Sequence, residues 1–134
     1  MLISAARVPN WTERFLDYVA SRECMPYAWW LQDCATFARG IVMAVIDRDP
    51  MADVPPYRTA EEAGRLLNKP LEDWLDERFK RGAKGLARRG DLGVVEIERR
   101  RSIVVFDYEF VIGPGEHGLV RLPRGHAEDC WLVG

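Results

Sequence analysis

The chain contains few of the residues that build metal centres, disulfide frameworks or histidine-based catalysts: three cysteines and two histidines in 134 residues. The cysteines, at positions 24, 34 and 130, are odd in number and far apart, and no Cys-x-x-Cys pair occurs. That pattern supports neither a disulfide framework nor a zinc site, so reduced thiols and no metal are expected. No run approaches the roughly 20 apolar residues that cross a bilayer. The first residues, Met1 to Arg7, lack a basic segment followed by an apolar one, so no signal peptide is expected. Charge of neither sign dominates: 19 basic and 21 acidic side chains leave a net charge of -2. There is thus no global electrostatic case for nucleic acid or an anionic membrane. The runs Arg88-Arg89 and Arg99-Arg100-Arg101 flank strand-like segments and read as solvated turns rather than a phosphate footprint. Gly113-Pro114-Gly115 has the glycines of a turn but no lysine and no helix after it, so no phosphate cradle and no cofactor are expected.

A composition that is 48% hydrophobic supports one compact domain, residues 1–134, with a core of its own. Trp11, Phe15, Tyr18 and Val19 share one face of a helix that Asn10 can cap and that Cys24-Met25-Pro26 ends. A second helix runs from about Cys34 to Asp47, with Asp33 as its cap and Cys34, Ala38, Ile41 and Val45 along one stripe. Thr59 and Glu62 fit a capping box that opens a helix through Leu67. Leu71, Trp74, Leu75 and Phe79 predict another after Pro70. Beyond Gly82 the pattern becomes β-branched and aromatic, in runs 92–97, 103–112, 118–122 and 130–133. Helices first and strands second predict an α+β fold, with N-terminal helices packed on a C-terminal antiparallel sheet.

Cys34 carries two readings. Its predicted place at a helix N-terminus puts free amides and the positive dipole end beside the sulfur, which favours the attacking thiolate. The neighbouring Asp33 carboxylate opposes a second negative charge. The alternative is a small buried apolar residue, the usual role of a free cysteine. A nucleophile also needs a base, and only His117 and His126 exist, both in turn-like segments. Trp74 and Trp131 read as core residues. Trp29 and Trp30 are adjacent and cannot both bury one face, so one is a candidate for a groove wall or interface.

Pro26-Tyr27-Ala28-Trp29 followed by Asp33-Cys34 and an apolar helix resembles the nucleophile segment of NlpC-type, papain-like cysteine peptidases. Arg88-Arg89-Gly90-Asp91-Leu92 looks like the Gly-Asp turn of that family. The wider layout, with Tyr57-Arg58-Thr59, Gly118-Leu119 and Trp131, resembles a short uncharacterised group of NlpC-like proteins from phage and prophage tail modules, over residues 10–133. The resemblance implies a papain-like fold and makes Cys34 the match for the nucleophile. It implies a histidine at the start of the strand after the Gly-Asp strand, where this chain has Ser102, and a glycine two residues on, where it has Val104. His117 falls at the orienting position and is the candidate substitute base, with His126 behind it. Trp30 stands where the family has glycine. Trp29, Trp30, Asp33 and Ser102 are the candidate groove residues.

A serine cannot act as a base near neutral pH, so the resemblance implies a pseudoenzyme. The function implied first is a phage tail or tail-tip structural or assembly protein, made in the host cytoplasm and carried in the virion tail, with other tail proteins as partners. Two alternatives stand beside it: a cysteine endopeptidase that cleaves peptidoglycan stem peptides through Cys34, and a module that binds cell-wall peptides without cutting them.

Overall fold

The computed structural model describes residues 2–134. Four helices come first: α1 (Trp11–Arg22), α2 (Cys34–Ile46), α3 (Ala60–Leu67) and α4 (Leu71–Asp76). Six strands follow: β1 (Arg81–Gly82), β2 (Leu92–Ile97), β3 (Arg100–Asp107), β4 (Phe110–Gly115), β5 (Gly118–Pro123) and β6 (Cys130–Trp131). They form one antiparallel sheet in the order β1-β6-β2-β3-β4-β5. The fold is α+β, as the order of sequence patterns implies.

The apolar stripe of α2 is wider than a single row: Phe37, Ala38, Ile41, Val42, Val45 and Ile46 are all buried. It packs with Phe15 and Val19 of α1 against Leu92, Val94, Ile103, Val105 and Ile112 on one sheet face. Burying these side chains stabilises by roughly 1.5–3 kcal/mol each, before conformational entropy is subtracted. A smaller cluster, built around Val95, Val104, Phe106 and Cys130, fills the other face. Trp74 and Trp131 are both core residues, at 3% and 0% exposure. The Trp131 indole donates to Asp76 at 2.9 Å, whereas the Trp74 indole nitrogen has no partner and its ring lies under Arg78.

Several local expectations change. Asn10 precedes α1 but makes no side-chain cap; its carbonyl accepts from Arg14 N–H, and Trp11 N–H donates to Val8 C=O in the turn that leads into the helix. Thr59 does cap α3, yet Glu62 accepts from the Arg58 amide, one residue earlier than a capping box requires. The helix after Pro70 stops at Asp76, so Phe79 is buried from the segment beyond it. The run 103–112 is two strands, not one: the chain reverses at Tyr108-Glu109, with Tyr108 at φ 53° and Asp107 paired with Phe110.

The arginine runs are not merely solvated turns. Arg89 binds Asp107 at 2.7 Å and lies over Tyr108, Arg101 pairs with Glu72, and Arg100 and Arg101 belong to β3. Of the described residues, no helix is long and apolar enough to cross a membrane.

Candidate functional site

Asp33 decides where Cys34 stands. Its buried carboxylate accepts from the Thr36 amide at 2.9 Å and from the Trp30 amide at 2.8 Å. Thr36 Oγ1 accepts from the Asp33 amide at 3.0 Å, which completes a reciprocal cap and starts α2 at Cys34. The same carboxylate gathers the preceding loop. There Gln32 N–H donates to Ala28 C=O at 2.7 Å and Trp30 takes φ 68°, a left-handed conformation that favours glycine. Tyr57 compensates by packing edge-on to Trp30, with centroids 5.1 Å apart. Tyr57 is itself buried beside Asp33, and burial first, then the charge and hydrogen bond of Asp33, push its hydroxyl well above the usual tyrosine range.

The Cys34 sulfur meets β3. The main chain of Ile103 and the hydroxyl of Ser102 both act on it as hydrogen-bonding groups. The Ser102 hydroxyl is buried and also lies 3.4 Å from the Ile103 carbonyl. The residue keeps some exposed surface, yet the sulfur is enclosed by protein. Burial therefore pushes the thiol up from 9.0 to about 11, and the Asp33 charge adds to that. The hydrogen bonds from Ile103 and Ser102, and the more distant Arg100, only partly offset it. Desolvation thus outweighs the groups that favour the thiolate, and the thiol form dominates at neutral pH.

Both histidines are exposed. His117 is on the turn between β4 and β5, and His126 is on a 3-10 turn after β5. Neither is among the groups that act on the sulfur.

A cavity of about 390 Å³ opens in front of Ser102, between Tyr27, Glu98, Arg100, Gly115 and Glu116. Arg100 spans the rings of Tyr27 and Trp29, 4.5 and 5.6 Å from their centroids. The Tyr27 hydroxyl, desolvated and close to Cys34, is pushed up to about 12 although its hydrogen bond with Arg100 opposes the shift. Trp30 faces a different space, a groove of about 560 Å³ between α1 and α2 that it shares with Tyr18, Leu31 and Arg39. Of the four candidate groove residues, then, Ser102 lines the cavity beside the thiol and Trp29 supports Arg100 at its wall. Asp33 is buried as an organiser, and Trp30 points to the other side.

Residues 6–133 match a family described as a domain of unknown function, DUF6950. The chain belongs to this family. No curated protein matches it. The matched residues include Cys34, Ser102 and every residue that lines the cavity.

Three residues at the site carried little sequence signal. Tyr27 and Tyr57 stand in the motif segments but with no role assigned to either, and Arg100 reads as one of three solvated arginines. Among the described residues, no group of three or more His, Cys, Asp or Glu side chains could hold a metal ion.

Proposed function

We propose that this protein is a catalytically silent papain-like domain of the NlpC type, serving as a structural or assembly component of a phage or prophage tail. The observation that carries the reading is the environment of Cys34. A thiol at a helix N-terminus faces a serine on the neighbouring strand, is pushed up to about 11, and has no imidazole acting on it. Cysteine nucleophiles need the opposite: a lowered pKa and a base within hydrogen-bond reach.

The NlpC assignment is supported by the helix-on-antiparallel-sheet layout and by the Asp33 cap in front of Cys34. Two further points agree with it. Trp30 adopts a glycine-like backbone where the peptidases have glycine, and the Gly90-Asp91 turn leads directly into β2. The tail assignment rests on the resemblance to NlpC-like proteins of tail modules. A tagged copy expressed from the phage or prophage that encodes it is expected to co-purify with tail particles, and deletion of the gene to leave tails defective. Normal tails and full infectivity after deletion would overturn the tail role.

A further inference from the structure

The cavity in front of Ser102 holds opposite charges that do not neutralise each other. Glu98 lies in the two-residue β2–β3 hairpin turn, Arg100 directly follows that turn, and Glu116 lines the same cavity from the β4–β5 turn. Among the described residues no ion pair includes any of the three. Arg100 and Glu98 are each engaged by a different contact. Arg100 lies on the faces of Tyr27 and Trp29 and is hydrogen-bonded to the Tyr27 hydroxyl. Glu98 accepts from the Glu116 amide at 3.0 Å, which ties the two hairpin turns together. The turn has positive φ at both central residues, Glu98 at 52° and Arg99 at 65°, a form that suits a two-residue hairpin but prefers Asn and Gly at these positions.

A guanidinium, two carboxylates and a serine lining one cavity match a ligand with a carboxylate and an ammonium a short distance apart. A planar guanidinium already seated on aromatic rings receives a carboxylate with little further loss of side-chain entropy. We propose that this cavity binds the carboxyl-terminal end of a partner polypeptide. The terminal carboxylate lies on Arg100 beside Ser102, and a basic side chain just before it lies between Glu98 and Glu116. A volume near 390 Å³ suits two or three residues, not a folded surface. The inference rests on the reading of this cleft as one that binds without cutting.

Titration with N-acetyl-Ala-Lys-Ala, followed by tryptophan fluorescence and by calorimetry, tests it. Saturable binding at about millimolar concentration is expected, weakened about tenfold when the carboxylate is amidated. Similar losses are expected with Arg100→Gln, and with Glu98→Gln combined with Glu116→Gln, in variants whose thermal melts match the wild type. Equal binding of the acid and the amide, insensitivity to Arg100→Gln, or no saturation at all would overturn the proposal. Mass spectrometry of the recovered peptide separates the two readings. Cleavage would refute the non-cutting cleft while leaving the charge recognition standing, whereas an intact but unbound peptide would refute the recognition alone.

Discussion

Cys34 at the first turn of α2 meets Ser102 of β3, whose hydroxyl acts on the sulfur as a hydrogen-bonding group alongside the Ile103 main chain. Burial and the Asp33 charge hold the thiol near 11, and the hydrogen-bonding groups opposite are too weak to reverse this. In a Cys24→Ser background, alkylation of Cys34 is expected to remain slow through pH 8 and to accelerate only as the pH approaches 11. A rate profile with a midpoint near 7 would mean an activated thiol.

Replacing Ser102 with histidine supplies the missing base from the same strand. The expected outcome is a Cys34 pKa brought below 9 and a rise in alkylation rate at pH 7.5 of at least about tenfold. Thiolate absorbance during a pH titration reads this directly, and a circular dichroism melt shows whether the larger side chain is accommodated.

The same shifts make stability depend on alkaline pH. Cys34 and Cys130 both sit near 11 in the folded chain against 9.0 for a free thiol. Because the unfolded chain loses these protons first, their contribution is fully present below pH 9 and is lost as pH rises towards 11. Melting temperatures measured from pH 8 to 10.5 are expected to fall. The Cys34→Ala variant should show a shallower fall, by the equivalent of ~1–2 kcal/mol.

Much of this was legible in the sequence, and what was not has identifiable causes. Asp33 and Thr59 announced their helices because a cap is a local hydrogen bond to the residue three positions on. The strand run 103–112 concealed a reversal because Tyr108-Glu109 contains none of the usual turn residues, and tertiary pairing with β5 imposes the bend. Strand β1 is two residues long and exists only because Cys130 and Trp131 return beside it. Arg100 read as a surface charge because its aromatic seat comes from residues some seventy positions earlier.

Asp91 shows the same long-range logic in the frame that carries the site. Fully buried, it accepts from Arg7 at 3.0 Å, from the Arg88 amide at 2.8 Å and from the Val133 amide at 3.0 Å. It thereby ties the N-terminal segment, the Gly-Asp turn and the C-terminus together. Asp91→Ala leaves a buried guanidinium and two amides without their acceptor, and a loss of about 3–5 kcal/mol is expected in urea unfolding.

Gly40 lets α1 and α2 meet. A Cβ there would fall 2.0 Å from Cζ of Tyr18, whose hydroxyl donates to Phe37 C=O at 3.2 Å. Gly40→Ala is therefore expected to expel the Tyr18 ring and cost about 1–3 kcal/mol despite the better helix propensity of alanine. Arg99→Gly should do the reverse. It relieves the left-handed turn residue without touching the cavity and should stabilise by ~0.5–1 kcal/mol in the same assay.

The central claim is that Cys34 does not cut. Purified protein incubated with peptidoglycan fragments at neutral pH and analysed by mass spectrometry tests it most directly. The expected result is fragments unchanged and indistinguishable from those treated with Cys34→Ala. Cleavage of a stem peptide by the wild type that disappears in Cys34→Ala would contradict the account.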